Sequence, residues 1–373
     1  MQNPDIPLVK DIVLVGGGHT HALILRMWAM NPLAGARMTL INPDPIAPYT
    51  GMLPGLIAGH YSRGDIMIDL IRLARFAGAR VILDRATGID RGARLIQLSA
   101  RPPLPYDIAS LDIGITSDLP DLPGFAAHSV SAKPLGLYAA AWQRFVQDAP
   151  VAPSLVIIGG GVGGVELALA SAYRLRTTGR QAQITLLQSG PQALPDLSDR
   201  ARETLLAVAA QAGITVILNA RAVSVGTGDG NDDVDGDGDG TSTGHVMLED
   251  GTILPSDFTL TVVGAQPYPW LATTGLPLQD GFVTVGPTLQ AADPAIFATG
   301  DCAFLSHAPR PKAGVFAVRA APVLLHNLRA SLTETRLRQF WPQKDYLKLI
   351  SLGDRRALAD KWGLQGGGTS LWR

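Results

Sequence analysis

The chain begins with a strand–turn–helix–strand pattern of apolar positions. Residues 11–15 form a short apolar run that ends at three glycines, residues 22–30 carry apolar side chains at helical spacing, and residues 37–41 form a second apolar run. This order builds parallel sheets, because a crossover helix must carry the chain back to the start of the next strand. We therefore predict a parallel α/β unit in this part of the chain.

The same pattern recurs between residues 154 and 187. A run at residues 155–158 ends at a glycine turn, and a predicted helix at residues 165–175 leads to a second run at residues 184–187. Two such units predict two nucleotide-type domains, or one domain inserted into the other. Further strands and helices are predicted at residues 80–98, 109–113, 200–212, 215–224, 245–248 and 314–331.

Composition narrows the classes of protein. Hydrophobic residues make up 46% of the 373 residues and charged residues only 17%, where about 25% is usual, which indicates a compact globular protein with little disorder. The net charge of −1 gives no overall field that would attract nucleic acid. Cys302 is the one cysteine of the sequence, which excludes an internal disulfide, a cysteine zinc site and a two-cysteine redox centre within this chain. We expect a reducing, cytoplasmic compartment, and residues 1–10 lack the pattern of a secretory signal.

A stretch rich in glycine and aspartate at residues 226–244 raises the question of calcium. The alternating aspartates from Asp235 to Asp239 match the opening of a calcium-binding loop, but Val246 stands at the twelfth position, where a glutamate is needed. We therefore expect a solvated loop that joins two strands, and no metal site.

The second glycine turn carries the clearest chemical signal. Gly159, Gly161 and Gly164 have the spacing G-x-G-x-x-G between a strand and a helix, where backbone N–H groups can hold a pyrophosphate. Gln188 ends the following strand, at the position that contacts the adenosine ribose. Because Gln188 is not an acid, we expect only a modest preference for NADH over NADPH.

The first glycine turn, at residues 16–18, departs from this spacing. His21 stands where the third glycine is expected, so we expect its side chain to push the helix from the strand or to point out through a gap. His19 and His21 are too few ligands for a metal site. Asn42 occupies the ribose position of this unit.

A third element lies near residue 300. A predicted strand ends in Gly300 and Asp301, and a carboxylate there suits the ribityl hydroxyls of a flavin. An ordinary capping aspartate at the end of a strand is the alternative interpretation.

These motifs together resemble the pyridine nucleotide-disulfide oxidoreductase superfamily, flavoproteins with two dinucleotide-binding domains. Residues 111–114, 262–265 and 298–301 match the domain crossovers and the flavin motif in the order that the family has them. The resemblance implies two Rossmann-like domains with the NAD domain inserted in the FAD domain, and a small carboxy-terminal α+β region. The implied bounds are residues 1–117 and 266–330 for FAD, 118–265 for NAD(P)H, and 331–373 for a carboxy-terminal hairpin or interface region.

Four segments resemble more specifically the flavoprotein module that precedes selenide, water dikinase in fused proteins. They are residues 16–21, 49–55, 312–319 and 346–353. In that subgroup the histidine at the third glycine position is a regular feature. The subgroup neighbours the type II NADH dehydrogenases and the sulfide:quinone reductases.

The resemblance implies roles for individual residues. Glu166 and Lys312 would be catalytic, as the carboxylate near the nicotinamide and the lysine near the flavin; a helix-start acid and a surface lysine are the alternatives. Val318, at a helix start, would present its backbone to the flavin. The residues implied in FAD binding are Gly16, Gly17, Gly18, His19, Asn42, Thr50, Pro54, Gly300, Asp301 and Val318, and those implied in NAD(P)H binding are Gly159, Gly161, Gly164 and Gln188.

The implied function is that of an FAD-dependent NAD(P)H dehydrogenase. Because the flavin region lacks the cysteine pair of disulfide reductases, electrons would pass to a quinone or another small acceptor without protein thiols. The alternative is a flavin-binding regulatory or delivery module of selenium metabolism with little turnover. Trp341, Trp362 and Trp372 leave three alternatives open for the last residues: packing within a hairpin, a homodimer surface, or peripheral membrane contact.

Overall fold

The computed structural model describes residues 9–116, 121–227, 244–361 and 364–372. The aspartates of the stretch at residues 226–244, with their calcium-loop pattern, and Trp362 lie outside these residues. The described residues form two units, each with its own hydrophobic core. The first unit comprises Met1–Tyr49, Met67–Thr116 and Ala265–Lys344, and the second comprises Thr50–Ile66, Ser117–Gly264 and Asp345–Arg373.

The described residues form eight α-helices and 24 strands. The helices are α1 (His19–Met30), α2 (Leu53–Ile57), α3 (Leu70–Phe76), α4 (Phe125–His128), α5 (Leu135–Asp148), α6 (Val162–Thr177), α7 (Asp199–Gln211) and α8 (Gly314–Leu332). The strands are β1 (Lys10–Val15), β2 (Ala36–Asn42), β3 (Ile46–Pro48), β4 (Met67–Asp69), β5 (Arg80–Leu83), β6 (Ala86–Asp90), β7 (Leu95–Leu98), β8 (Leu104–Pro105), β9 (Ile108–Leu111), β10 (Ser129–Ser131), β11 (Ser154–Ile158), β12 (Gln183–Leu187), β13 (Ile214–Ile217), β14 (Ala222–Thr227), β15 (Gly244–Leu248), β16 (Ile253–Pro255), β17 (Phe258–Thr261), β18 (Leu278–Gln279), β19 (Phe282–Val285), β20 (Ile296–Ala298), β21 (Ala303–Leu305), β22 (Lys348–Ser351), β23 (Ala357–Lys361) and β24 (Leu364–Gly368).

Each unit is built on a five-stranded parallel sheet. The first sheet has the order β20-β9-β1-β2-β5 and the second the order β10-β17-β11-β12-β13. In the first sheet Val15 is in register with Ile41 and with Leu111, so the carboxyl ends of three strands meet at one edge. In α/β proteins with parallel sheets this edge holds the ligand. The predicted α/β fold with two Rossmann-like units is confirmed.

Two segments group differently from the predicted bounds. Residues 50–66, expected with the first glycine turn, belong to the second unit, because Trp142 Nε1 donates to the carbonyl of Ile57, 3.0 Å away, and α2 packs on helices of that unit. Residues 345–372 also join the second unit, where β22 packs on α6 and the predicted hairpin gains a third strand.

Two predicted helix starts and one predicted strand were wrong. Helix α6 begins at Val162 rather than at residue 165, which places Glu166 in its second turn. Helix α1 begins at His19 instead of residue 22. The single strand expected at residues 215–224 is two strands, β13 and β14, because Asn219 adopts a positive φ of 53° between them. Within the described residues, no helix is both long enough and apolar enough to cross a bilayer.

The close contact between α6 and the turn before it predicts that a side chain at Gly164 destabilises the fold. A Cβ atom on Gly164 would lie 1.8 Å from the carbonyl oxygen of Gly159, so Gly164→Ala must move backbone. We expect the free energy of unfolding to fall by about 1–3 kcal/mol, the usual cost of overpacking. Urea unfolding measures it.

Gly163→Ala is the matched control. Its nearest neighbour would be Val262 Cγ1 at 3.4 Å, an ordinary contact, and alanine in a helix is favoured over glycine by about 0.5–1 kcal/mol. The steric account is contradicted if the two variants unfold at the same urea concentration.

Candidate functional site

The first glycine turn connects β1 to α1 at the carboxyl edge of the first sheet. Gly16 adopts a φ of 92° and donates its N–H to the carbonyl of Ile41, 2.8 Å away. A Cβ atom on Gly16 would lie 2.3 Å from the carbonyl oxygen of Asp112. Glycine is therefore required here both by its backbone conformation and by the close approach of the chain after β9.

An amide side chain closes this turn. Asn42 Oδ1 accepts the N–H of Gly17 at 2.8 Å, and Asn42 Nδ2 donates to the carbonyl of Asp44 at 2.7 Å. The residue predicted to contact a ribose thus also fixes the shape of the glycine turn. Its role toward the ribose stays a prediction.

The second glycine turn repeats this arrangement in the second unit. Gly159 adopts a φ of 124° and donates its N–H to the carbonyl of Leu187, 2.9 Å away, while Gln188 Oε1 accepts the N–H of Gly160 at 3.1 Å. Gly161 caps α6 with an ordinary φ of −75°, and a Cβ atom placed on it would meet no atom within 4 Å. Open space beside the start of a helix is what a bound pyrophosphate requires.

His21 does not behave as the sequence suggested. Its side chain is fully buried, with Nδ1 2.7 Å from the carbonyl oxygen of Gly16 and Nε2 2.8 Å from Ser110 Oγ. Burial lowers the pKa of His21 to about 4, so the ring is neutral at physiological pH. Because a carbonyl can only accept, Nδ1 carries the proton and Nε2 accepts from the serine hydroxyl.

The expectation that this side chain would point out through a gap was therefore wrong, and the expectation that it pushes the helix from the strand stays a prediction. The ring of His21 takes the place of a third glycine by filling the space between strand and helix with a hydrogen-bonded group. Both of its nitrogens are occupied, and the described residues contain no cluster of three potential metal ligands.

Sequence reasoning missed Asp112, which follows β9. Its carboxylate is 3% exposed and accepts the backbone N–H of His21 at 3.1 Å. Cβ atoms placed on Gly18 and Gly300 would each lie about 2.4 Å from it, so it lies wedged between those two glycines. Burial, which is the largest cause, raises the pKa of Asp112 to about 7. The available signal was a single acid at the end of an otherwise apolar run that leads to the sheet edge.

A concave pocket in the first unit contains Asp301 and Lys312. Gly300 follows β20 with a φ of 65°, and Asp301 lies in the short 3-10 helix Gly300–Cys302. Lys312 Nζ donates to the carbonyl of Ala303 at 2.6 Å and lies 3.8 Å from the ring centroid of Phe282. Burial lowers the pKa of Lys312. The pocket is also lined by apolar residues, among them Leu289, Phe316 and Phe340.

Cys302 faces the interior. It is fully buried, its Sγ lies 3.2 Å from the carbonyl oxygen of Thr299, and burial raises the pKa of its thiol to about 12. A thiol in this environment packs and does not react as a thiolate.

Glu166 lies in the second unit under the carboxy-terminal strands. Its Oε1 accepts the backbone N–H of Ser351 at 2.7 Å, and burial raises its pKa from 4.5 to about 7. Glu166 lies beyond the first turn of α6, so the alternative interpretation as a helix-start acid does not apply.

The other predicted cofactor residues are spread over both units. His19 is the first residue of α1 and packs edge-on against Tyr49, with ring centroids 5.2 Å apart. Val318 is the fifth residue of α8, in the second turn rather than at the helix start, and is 41% exposed. Thr50 and Pro54 belong to the second unit.

Two of the curated proteins similar to this chain are named as an NAD(+) reductase and as an NADH dehydrogenase-like protein. The nitric oxide reductase FlRd-NAD(+) reductase of Aeromonas hydrophila is 33% identical over 216 residues, 58% of this chain and 50% of that protein. The NADH dehydrogenase-like protein YutJ of Bacillus subtilis is 22% identical over 308 residues, 81% of this chain and 79% of that protein. The chain spans about half the length of the curated relatives that it matches at 31% and 33% identity.

Solved structures share the fold. The structure of NDH2 from Plasmodium falciparum in complex with NADH superposes with a TM-score of 0.79 at 13% identity, covering 97% of this chain and 93% of that one. The resemblance to the module that precedes selenide, water dikinase stays a prediction.

Residues 10–321 match the sequence model of the pyridine nucleotide-disulphide oxidoreductase family. The predictions of this family, of an oxidoreductase, and of FAD and NAD(P)H as its cofactors are confirmed at the level of the family. The chain therefore belongs to the pyridine nucleotide-disulphide oxidoreductases, a family of FAD- and NAD(P)H-dependent enzymes.

Proposed function

We propose that this chain moves a hydride from NAD(P)H to FAD and passes the electrons to a quinone or another small acceptor without a protein thiol. The observation that carries the proposal is the pair of glycine turns, each at the carboxyl edge of a five-stranded parallel sheet and each closed by an amide from the next strand. When bound, FAD would supply the redox chemistry.

The first unit has the features of the FAD site. The glycine turn, with the backbone of Gly16, Gly17, Gly18 and His19, would hold the pyrophosphate, and Asn42 would face the ribose. Asp301 would bind the ribityl hydroxyls from the pocket that it shares with Lys312. The backbone of Val318 would complete the set in this unit, and the implied roles of Thr50 and Pro54, which belong to the second unit, stay predictions.

The second unit has the features of the NAD(P)H site. Gly159, Gly161 and Gly164 would hold the pyrophosphate at the start of α6, and Gln188 would contact the ribose. Gln188 already accepts the N–H of Gly160, so its amide is held in place before the nucleotide binds. An amide neither repels a 2′-phosphate nor attracts it, which supports weak discrimination between NADH and NADPH.

The sequence and the burial of Cys302 support electron transfer without a thiol relay. Cys302 is the only cysteine of the chain, and its buried thiol has a pKa of about 12. Two cysteines would be needed to carry electrons as a disulfide within the chain. Electrons would therefore leave the flavin directly.

A small redox protein is the second candidate acceptor. The rubredoxin-NAD(+) reductase of Pseudomonas putida, 29% identical over 155 residues, is named for such a protein. The aligned part covers 35% of that relative, so the partner itself is a proposal. The selenium-linked module with little turnover stays the alternative from another class.

Reduction by NADH tests the proposal directly. The purified chain, loaded with FAD, should lose its flavin absorbance within seconds of anaerobic mixing with NADH, because the hydride moves to the flavin. A soluble quinone should restore the absorbance and give steady turnover. A flavin that NADH leaves oxidised would favour the selenium-linked module, and a reduced flavin that only a rubredoxin reoxidises would favour the redox-protein acceptor.

Gly161→Ala tests the NAD(P)H site. The new methyl group would stand in the open space beside the start of α6, where the pyrophosphate would bind. We expect the KM for NADH to rise by about tenfold or more, equivalent to about 1.4 kcal/mol of lost binding. FAD content should match the parent, the control Gly163→Ala should leave the KM for NADH unchanged, and an unchanged KM in Gly161→Ala would contradict the assignment.

Glu166→Gln separates catalysis from support of the carboxy-terminal strands. The amide keeps the size of the side chain and can still accept the N–H of Ser351. If Glu166 is catalytic, its replacement should slow the reduction of the flavin by NADH and leave the FAD content unchanged. Equal reduction rates in stopped-flow measurements would leave it only a supporting role.

The same variant carries a pH signature. The pKa of Glu166 is raised from 4.5 to about 7 in the folded chain, so the folded chain holds a proton that the unfolded chain releases, and stability falls as pH rises between these values. Glu166→Gln lacks this contribution. Its urea midpoint relative to the parent should rise across that window, and a constant difference would show that the carboxylate is well solvated.

A further inference from the structure

Helix α1 begins without a cap of its own. Its N-cap residue is Gly18, which has no side chain, and its first turn contains no acidic residue. The first N–H groups of a helix need acceptors, and they carry the positive end of the helix dipole. In the proposed function this helix end is where the FAD pyrophosphate binds.

Asp112 supplies the missing cap from 91 residues away. Its Oδ2 accepts the N–H of His21 at 3.1 Å, and the backbone N–H of Thr20 also interacts with the carboxylate. The carboxylate is wedged between the Cα atoms of Gly18 and Gly300, where a Cβ on either would lie about 2.4 Å from it. The position is therefore fixed by both segments that are proposed to contact FAD.

The groups around Asp112 add negative rather than positive charge. Asp301 raises its pKa, and Asp112 in turn raises the pKa of the Cys302 thiol. The neutral ring of His21 turns away, toward Gly16 and Ser110, and α8 contributes Ala317 near Gly300. Lys312 interacts with Asp301 and Cys302.

We propose that Asp112 is a positioning residue for FAD that caps α1 from within the first unit and takes up a proton from solvent when the pyrophosphate binds. A carboxylate anion and a pyrophosphate dianion at one helix end repel each other in a buried, weakly screened environment. The protonated acid keeps the hydrogen bond from His21, because its carbonyl oxygen still accepts. The inference rests on the proposed function, which places FAD at the first glycine turn.

The raised pKa of Asp112 also favours uptake of a proton. Burial already holds the pKa of Asp112 near 7 before any ligand adds its charge. Asp112 is therefore readily protonated at slightly acidic pH. Above neutrality its protonation becomes less favourable, and FAD binding weakens progressively. His21 does not titrate in this range, because burial lowers its pKa to about 4.

The test is FAD binding by the full-length apoprotein as a function of pH, followed by flavin fluorescence. If the neutral acid is required, the Kd of the parent should rise by about 30-fold between about pH 6 and about pH 8.5. Asp112→Asn mimics the neutral acid and should bind FAD with a Kd that changes by less than about threefold over the same range. Circular dichroism establishes that the variant is folded.

His19→Gln removes the other side chain at this helix end that can carry a charge. His19 is the first residue of α1, where the loss of a positive charge would also weaken binding of the pyrophosphate. The pH dependence should persist in His19→Gln if Asp112 carries it. A slope that disappears in His19→Gln and survives in Asp112→Asn overturns the inference.

Proton counting gives a measurement that needs no variant. Calorimetric titration of the parent with FAD at about pH 8, in two buffers of different ionisation enthalpy, should show uptake of nearly one proton per FAD. Binding without proton uptake overturns the inference and leaves the proposed function intact. Failure of the parent to bind FAD at every pH contradicts the proposed function itself.

Discussion

The close approach of strand, turn and helix at the carboxyl edge of each parallel sheet is the constraint on which the rest of the structure depends. In the second unit it leaves no room for a side chain, since a Cβ on Gly164 would lie 1.8 Å from the carbonyl oxygen of Gly159. Such packing directs the first N–H groups of the helix toward the sheet edge. A phosphate group bound there meets backbone donors and the positive end of the helix dipole.

The two units meet this constraint with different residues. The second unit uses glycine at all three positions, whereas the first places the neutral ring of His21 where the third glycine would stand. The amide of the next strand has the same function in both, because Asn42 and Gln188 each accept the N–H of the middle glycine. One backbone geometry is thus stabilised once by close packing and once by a buried hydrogen-bonded side chain.

Two acids with raised pKa values lie close to these helices in the two units. Asp112 accepts a hydrogen bond from the first turn of α1, and Glu166, in the second turn of α6, accepts one from Ser351. The pKa values of both are raised chiefly by loss of water, and the negative charge of Asp301 adds a smaller effect at Asp112. Their environments differ: Asp112 lies beside the residues proposed to bind FAD, and Glu166 lies beneath the carboxy-terminal sheet of the second unit.

The sequence by itself determined the parts that depend on local patterns. Apolar runs, glycine turns and their spacing predicted both parallel units, because backbone conformation and face burial are encoded within a few neighbouring residues. Only the tertiary structure decided the grouping of residues 50–66 with the second unit, the hydrogen bonds of His21 and the cap provided by Asp112. These contacts join residues that are far apart in sequence, so no local pattern specifies them. The charge state of a buried group likewise depends on which distant neighbours exclude water from it.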